Sequence, residues 1–303
     1  MSVDYLSPVT PEILQAFTDE LIAKHQDIEI SSLGKSILGR NIPLYQLGHG
    51  KSASLFVGAH HGAEAITSLL LMKFTEDILD AKRRGLSRLA GFSVGGLLER
   101  RSIYIVPMLN PDGVAIAHLG AQAAGVLKDR VKSINGSEDF SLWQANARGV
   151  DLNHNYDAEF AKCKEAERAL GIFASAPTRY GGEYPESEPE TAALADLTRM
   201  LSKQLRLAVA LHTQGEEIYW DFEGKAPKGA NMLAECFSRV SGYRVARPPK
   251  EASYGGYKDF VIQKLGIPAF TIECGNGKNP LPPCAFYGIY QKVLPILLTA
   301  ASF

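Results

Sequence analysis

Short apolar runs alternate with amphipathic stretches along most of the chain, and this alternation predicts its secondary structure. Apolar runs predict buried strands at residues 55–57, 103–109, 205–211 and 269–272, a short strand at 243–246, and a hairpin made of 28–33 and 42–47. Amphipathic spacing predicts helices at residues 10–24, 64–84, 187–204, 229–241, 257–265 and 285–301. The pattern is irregular from residue 119 to 160, where we expect a loop-rich functional surface.

Buried strands separated by helices are typical of a mostly parallel sheet covered on both faces. The sequence therefore predicts an α/β fold in which helices lie on either side of the sheet. Two helix starts carry clear signals, the Thr10-Pro11-Glu12 cap and the Ser187-Glu188-Pro189-Glu190 capping box. No linker, repeat or composition shift divides the chain, so we expect one domain over residues 1–303 with a helical lead-in at 1–30.

Polar side chains stand at or just beyond the ends of four predicted strands. These residues are His61, Asn110, His212 and Glu273. In open α/β sheets the carboxyl ends of the strands carry the ligand site. We therefore expect these four residues to meet at one edge of the sheet.

The segment around His61 and Glu64 predicts a metal site. A histidine in a tight turn, followed three positions later by a glutamate in a first helical turn, directs two metal-binding groups at one point. His212 can complete a His/Glu/His set, although a histidine ending an apolar strand is also a common core residue. His60 competes with His61, but no acid follows it three positions later.

Composition and charge exclude several classes of function. The chain has 303 residues, 46% of them apolar and 21% charged, and a formal net charge of -1. This balance gives no support to a nucleic-acid or membrane surface, both of which normally require a basic excess. The first residues do not resemble a secretory signal, no run reaches the length of a membrane span, and four cysteines lack disulfide-framework spacing. We expect a cytoplasmic protein.

Several ordered motifs resemble the zinc carboxypeptidase family. They are Gly58-x-x-His61-x-x-Glu64, Asn110-Pro111-Asp112-Gly113, Asn146-Ala147-Arg148-Gly149-Val150-Asp151-Leu152-Asn153, Leu211-His212-Thr213 and Phe270-Thr271-Ile272-Glu273. Residues 145–156, 212–217 and 253–260 are further similar to the bacterial branch that cleaves γ-D-glutamyl-meso-diaminopimelate bonds.

The resemblance implies an eight-stranded mixed sheet, one zinc ion per chain and hydrolysis of an amide bond. By position, His61, Glu64 and His212 correspond to the zinc ligands and Glu273 to the general base. The implied roles of the neighbouring loop are oxyanion stabilisation by Arg148, orientation of a ligand histidine by Asp151, and contact with a substrate carboxylate by Asn153. Taken alone, Glu273 also suits a surface acid, Arg148 a paired loop arginine and Asn153 a turn residue.

The chain departs from the family pattern at two places. His154 stands where carboxypeptidases have an arginine that binds the substrate's C-terminal carboxylate, and imidazole is a weaker carboxylate ligand than guanidinium. Strict removal of single C-terminal residues is therefore doubtful. The position of the family's mobile tyrosine corresponds to Glu251, and Tyr254 or Tyr257 is a candidate replacement.

Three further residues are candidates for substrate binding. Lys258 holds the position of the family's specificity residue, and its ammonium would meet an acidic group of the leaving portion; a solvated lysine is the alternative. Glu216 and Glu217 could receive the amino group of diaminopimelate, or form a solvated acidic pair.

The function expected from the sequence is hydrolysis of the γ-D-glutamyl-meso-diaminopimelate bond in peptidoglycan-derived peptides. A carboxypeptidase or amino-acid deacylase could use the same zinc site, because the fold and metal do not fix the substrate. A non-catalytic protein that binds cell-wall peptides is the alternative from another class.

Overall fold

A computed structural model describes residues 3–26, 28–249 and 254–303. The helices are α1 Pro11–Lys24, α2 Ile66–Arg83, α3 Leu97–Arg100, α4 Pro111–Leu119, α5 Lys128–Asn135, α6 Phe160–Ala169, α7 Pro189–Leu201, α8 Ala230–Ser241, α9 Tyr257–Phe260 and α10 Phe286–Ser302. The strands are β1 Ile28–Lys35, β2 Asn41–Leu47, β3 Ser52–Val57, β4 Arg88–Leu89, β5 Phe92–Ser93, β6 Arg101–Val106, β7 Leu205–His212, β8 Glu217–Tyr219, β9 Arg244–Ala246 and β10 Ala269–Glu273.

In the described part of the chain, eight strands form one mixed sheet in the order β1-β2-β6-β3-β7-β10-β8-β9. The four central strands, β6, β3, β7 and β10, are mutually parallel. The hairpin strand β2 pairs antiparallel with β6, and β8 pairs antiparallel with β10. The central strands therefore all end at the same edge, as the sequence predicted.

Each face of the sheet packs against helices. Phe56 of β3 packs in a cluster with α1, α2, α8 and α10, whereas its neighbours Leu55 and Val57 pack with α7 and α9 on the other face. Successive side chains of a strand point to opposite faces, so this split follows from the pleat. The predicted three-layer α/β/α architecture is thus confirmed.

Most predicted elements are present, with shifted ends. The hairpin, the four buried strands and the helices near residues 10–24, 64–84, 229–241 and 285–301 are confirmed. The strand predicted at 103–109 ends at Val106, because the chain turns there toward Asn110, whose side chain caps α4 at Gly113. The helix predicted at 257–265 divides into α9 and a π-helical turn, Val261–Leu265.

Of two further local predictions, one holds in part and one is wrong. The segment 119–160, predicted to be a loop-rich functional surface, lines the cleft with residues such as Asp151 and Asn153, but it also contains α5 and a 3₁₀ turn, Ala121–Leu127, which pack around the buried Trp143 in a small third cluster. The Ser187 capping box does not form: α7 begins one residue later, and the Glu190 side chain binds the Ile37 amide instead of turning back to the cap.

Helix α1, the predicted lead-in, is fixed to the sheet by Leu14, Phe17 and Leu21, all of them buried. At the other end, the segment Pro283–Ser302 has the length and hydropathy of a membrane-spanning helix, contrary to the expectation that no run would reach it. More than half of that segment is buried inside the fold, as in the core helices of many soluble proteins.

Candidate metal centre

His61 and Glu64 meet because the chain turns tightly after β3. The 3₁₀ turn Gly62–Glu64 begins at His61 and leads into α2. This turn brings His61 Nδ1 to 3.0 Å from Glu64 Oε1. The predicted His-x-x-Glu geometry is therefore present.

His212 joins this pair through the sheet. Strand β7 lies parallel to β3, and its last residue is His212. His212 Nδ1 lies 3.1 Å from Glu64 Oε2, and one ligand atom from each of His61, Glu64 and His212 falls within 4.8 Å of the others. Residues far apart in sequence thus form one compact donor set.

Two contacts orient this set. Asp151 Oδ1 lies 2.9 Å from His61 Nε2, which leaves Nδ1 of the same ring facing Glu64. The Thr213 amide donates to Glu64 Oε2 at 3.2 Å. A carboxylate behind a ligand histidine is the usual arrangement in metal sites, since it fixes the ring and its tautomer. The sequence-based role of Asp151 agrees with this geometry.

His60 is excluded as a ligand by its position. Its ring is fully buried, stacks on His212 with centroids 5.3 Å apart, and has Nε2 3.2 Å from the Tyr156 hydroxyl. Burial lowers the pKa of His60 well below its usual value. His60 therefore supports the His212 ring as a neutral packing partner.

The charges of the donor set suit a cation. Burial opposes ionisation of Glu64, but the adjacent His61 and His212 outweigh it and hold the Glu64 pKa at about 2. Burial also opposes protonation of His61, yet Asp151 and Glu64 raise its pKa well above 6.5. Both shifts show that the carboxylates of Glu64 and Asp151 favour a positive charge at the donor set. Two imidazole nitrogens and one carboxylate, buried and open on one side, are the donors of a catalytic zinc site.

Glu273 lies beside the donor set because of strand register. It ends β10, where it pairs with His212 of the parallel strand β7 and with Glu217 of β8. Burial, and then the negative charge of Glu64, raise the Glu273 pKa well above its usual value. A carboxylate of raised proton affinity next to a metal site is suited to accept and return a proton.

A cleft of about 180 Å³ opens over these groups. Its lining residues are His61, Glu64, Gln144, Asp151, Asn153, His154, Arg179, His212, Thr213, Tyr219, Pro248, Gly256, Lys258, Asp259, Thr271 and Glu273. The cleft thus contains the predicted ligands and base, together with Asn153, His154 and Lys258 from the predicted substrate-binding residues.

Arg148 is placed elsewhere, which corrects its predicted part in the site. Residues 146–150 form a tight turn in which the Asn146 amide donates to the Val150 carbonyl at 2.8 Å. Arg148 is half exposed, has its guanidinium 3.6 Å from Glu188, and lines a separate cavity with Tyr180. The motif residue therefore belongs to the turn that precedes Asp151, not to the cleft.

Glu216 and Tyr257 are also outside the cleft, against prediction. Glu216 directly precedes β8, is partly exposed and pairs with Lys292 at 2.6 Å. Tyr257 is buried under the cleft, with its hydroxyl 2.9 Å from Thr198. Of the candidates for the mobile tyrosine, Tyr254 lies outside the lining and Glu251 falls outside the described residues.

Lys258 is in the cleft, but its ammonium is already engaged. Its Nζ donates to the Asp221 carbonyl at 2.6 Å and to the Asp259 carboxylate, and the residue is 4% exposed. A substrate anion would therefore share this ammonium with Asp259, whose pKa is raised by burial.

Several lining residues escaped the sequence analysis. Gln144, Arg179 and Tyr219 belong to no motif that marks them, and Thr271 lies in a motif but was given no role. Arg179 comes from the long segment between Asp151 and α7, whose path depends on tertiary contacts. No element or site was predicted for the sequence around it.

Comparisons with known proteins agree with this geometry. A family profile described as zinc carboxypeptidase matches residues 14–295. The chain is 40% identical over 267 residues to gamma-D-glutamyl-L-diamino acid endopeptidase 1 of Lysinibacillus sphaericus, across 88% of this chain and 65% of that protein. It is 32% identical over 282 residues to the uncharacterized protein YqgT of Bacillus subtilis, across 91% of this chain and 72% of that protein.

The fold is also found among solved structures. Bovine thrombin-activatable fibrinolysis inhibitor, in complex with a tick carboxypeptidase inhibitor, superposes with a TM-score of 0.75 at 19% identity, over 98% of this chain and 97% of that chain. The profile match covers nearly the whole sequence and includes every residue of the His/Glu/His centre. The chain belongs to the zinc carboxypeptidase family.

Proposed function

We propose that the protein is a zinc peptidase that hydrolyses the γ-D-glutamyl-meso-diaminopimelate bond in peptidoglycan-derived peptides. The observation that carries the proposal is the convergence of His61, Glu64 and His212 beside Glu273 in one cleft. The name of the Lysinibacillus relative supports the choice of bond, and the chain spans 65% of that protein's length.

Each residue has a distinct part in the proposed reaction. Zinc, when bound, polarises the scissile carbonyl and lowers the pKa of a water molecule. Glu273 would accept a proton from the attacking water and return it to the departing amine, the part of a general base and then a general acid. Asp151 holds His61 in the orientation that the metal requires, through the 2.9 Å contact to Nε2.

The acidic substrate would meet polar and cationic groups of the cleft. Asn153 uses its Oδ1 to accept the Tyr257 amide at 3.0 Å, which fixes its side chain and leaves the amide NH₂ for substrate. Lys258 contributes an ammonium to the same lining. We assign Lys258 to an acidic group on the diaminopimelate portion.

The bond cleaved is best tested on the tetrapeptide L-Ala-γ-D-Glu-meso-diaminopimelate-D-Ala. Mass spectrometry should show L-Ala-D-Glu and the dipeptide diaminopimelate-D-Ala. Release of D-Ala alone would instead identify a carboxypeptidase. Zinc binding without any product would favour the non-catalytic binder, and rapid turnover of an acylated amino acid would favour a deacylase.

The assignment of Lys258 predicts a difference between substrates. Lys258→Ala should lower kcat/KM on the diaminopimelate peptide by about tenfold or more, because a charge-assisted contact contributes about 1.5–3 kcal/mol. The matching peptide with lysine in place of diaminopimelate lacks one carboxylate and should lose much less. An equal loss on both peptides in steady-state kinetics would contradict the assignment.

We also propose that the protein works in the cytoplasm. All four cysteines, Cys163, Cys236, Cys274 and Cys284, are free thiols, as in proteins of reducing compartments. Fractionation of cells that produce the native chain should place the zinc peptidase activity in the soluble cytoplasmic fraction. Recovery from the medium or cell wall would contradict this localisation.

A further inference from the structure

The cleft contains an arginine that no sequence motif predicted. Arg179 lines the cleft together with Asn153 and His154. We propose that Arg179 is a specificity residue whose guanidinium binds a carboxylate of the substrate. The proposal deepens the peptidase function above and rests on it for the identity of the substrate.

The backbone of Arg179 is tied to the metal centre. Its amide donates to Asp151 Oδ2 at 2.9 Å, and the Asp151 amide donates to the Tyr180 carbonyl at 2.7 Å. The other oxygen of the same carboxylate contacts His61 Nε2. Asp151 therefore holds a ligand histidine with one oxygen and the Arg179 backbone with the other.

The residues before Arg179 are fixed as well. The amides of Gln144 and Ala145 donate to the Pro177 carbonyl at 2.9 and 3.0 Å, and the Thr178 hydroxyl donates to the Gln144 side chain. Arg179 itself has a φ of 65°, in the left-handed region that non-glycine residues rarely adopt. Such backbone geometry persists only where the surroundings impose it, and it is concentrated at functional sites.

Charge in the cleft points to a carboxylate as the partner. Among the described lining residues, Arg179 and Lys258 are the arginine and the lysine. Arg179 alone has a planar guanidinium, the group that binds carboxylates through two parallel hydrogen bonds.

His154 cannot serve this purpose in its neutral form. Its Nδ1 lies 3.0 Å from the Tyr254 carbonyl, which can only accept, so the proton is on Nδ1. Nε2 of the neutral ring then carries a lone pair and repels a carboxylate. The arginine that could replace the missing charge lies beside it: Arg179 and His154 border both the cleft and a small adjoining cavity.

Two parts of the proposed substrate carry suitable carboxylates, D-glutamate at its α-carbon and diaminopimelate. A guanidinium can bind either carboxylate through the same pair of hydrogen bonds. A set of three tripeptides distinguishes them: L-Ala-γ-D-Glu-meso-diaminopimelate, the form in which the D-Glu α-carboxylate is a carboxamide, and the form in which the diaminopimelate carboxylates are carboxamides.

Arg179→Gln keeps the backbone amide that binds Asp151 and removes the guanidinium. On the unmodified tripeptide we expect kcat/KM to fall by about 10–100-fold, mainly through KM, as for loss of a charge-assisted pair. On the tripeptide whose amidation removes the partner carboxylate, the loss should shrink to about threefold or less. Arg179→Lys should recover part of the affinity.

Arg130→Gln is the matched control. Arg130 lines the neighbouring cavity, contacts Ser175 and is outside the catalytic cleft. The kcat/KM of the Arg130→Gln protein should equal that of the unaltered protein on all three peptides. Melting temperature and zinc content of each variant show whether the fold and the metal centre are intact.

An equal loss of kcat/KM on all three peptides, or no loss on any, would overturn the proposal. Calorimetric binding of the three peptides to the zinc-loaded Glu273→Gln protein, with and without Arg179→Gln, gives the same comparison without turnover. If the unaltered protein fails to cleave the γ-D-glutamyl bond, the proposed function is lost. The binding difference between acid and amide peptides still decides the part of Arg179.

Discussion

Asp151 shows at the scale of one residue how closely the metal centre and the substrate cleft are joined. One carboxylate oxygen faces His61 and the other accepts the Arg179 amide. Burial opposes its ionisation, but the charge of His61 holds the Asp151 pKa well below its usual range. The ionised form, which contacts both neighbours, is therefore favoured.

The assignment of Glu273 as the base gives a direct prediction. Glu273→Gln should lower kcat by at least about 10²-fold, because the amide cannot accept a proton from water. Zinc should stay bound at one ion per chain, since the ligands are unchanged. Kinetics together with metal analysis measure both, and Glu165→Gln, an exposed change on α6, is the control. Unaltered turnover in Glu273→Gln would refute the assigned base.

Glu190 predicts a pH dependence of stability away from the cleft. Burial, opposed by its backbone hydrogen bonds, raises the Glu190 pKa from 4.5 to about 7. The folded protein then binds more protons than the unfolded chain between these values, so this contribution is complete below pH 4.5 and is lost as the pH rises through 7. Ionisation of Glu190 should cost about 2 kcal/mol between roughly pH 5 and 8.

Urea unfolding at several pH values tests this prediction. Glu190→Gln removes the titration, so the free energy of unfolding of the variant relative to the unaltered protein should rise by about 2 kcal/mol over that range. The exposed Glu183→Gln should give no such trend. Parallel pH profiles of Glu190→Gln and the unaltered protein would show that Glu190 does not titrate as described.

At the scale of elements, the turn that follows β3 must lie very close to α4. A Cβ on Gly62 would stand 2.3 Å from the Gly113 carbonyl oxygen and 2.7 Å from that of Trp143. The Gly62 amide also donates to the Gln144 carbonyl at 3.0 Å. The turn that presents His61 and Glu64 therefore depends on a residue without a side chain.

Gly62→Ala should therefore destabilise the protein by about 2–4 kcal/mol, as overpacking against rigid backbone does. The matched change Gly288→Ala, on the exposed side of α10, meets nothing within 4 Å and should be neutral or stabilising by up to about 1 kcal/mol. Thermal unfolding of both variants measures the difference. Equal melting temperatures would mean that the turn can move away from α4 at little cost.

At the scale of the molecule, the metal would join distant parts of the chain. His61 and Glu64 follow β3, His212 ends β7, and Asp151 supports them from a loop between these strands. Removal of zinc would leave the buried Glu64 facing His61 and His212 without the ion between them. The folded state thus gains stability from an ion that the unfolded chain cannot bind in this geometry.

Chelation should consequently lower the melting temperature. Zinc in 1,000-fold excess over its dissociation constant stabilises the folded state by about 4 kcal/mol. Calorimetry with and without a chelator measures the shift, which added zinc should reverse and magnesium should not. The Glu273→Gln protein should show the same shift, because Glu273 is not a ligand. A melting temperature indifferent to chelation would contradict a His61/Glu64/His212 zinc site.

Periodicity and local motifs were sufficient to predict the central strands and most of the residues at their carboxyl ends. Apolar runs predicted the central strands because burial on both faces selects continuous apolar residues. Three of the four residues expected at the strand ends, His61, His212 and Glu273, line the cleft, whereas Asn110 caps α4. These predictions succeeded because a parallel sheet brings all of its carboxyl ends to one edge. The spacing of His61 and Glu64 needed only one local turn.

Tertiary structure alone decided the remainder of the site. The motif around Arg148 is local, but the direction of the Arg148 side chain depends on how the turn of residues 146–150 packs. In this turn the Arg148 guanidinium lies near Glu188. Arg179 reaches the cleft because Asp151 binds its backbone, a contact between segments that no sequence period encodes. Strand ends are fixed by local hydrophobic pattern, whereas loop side chains are placed by long-range hydrogen bonds.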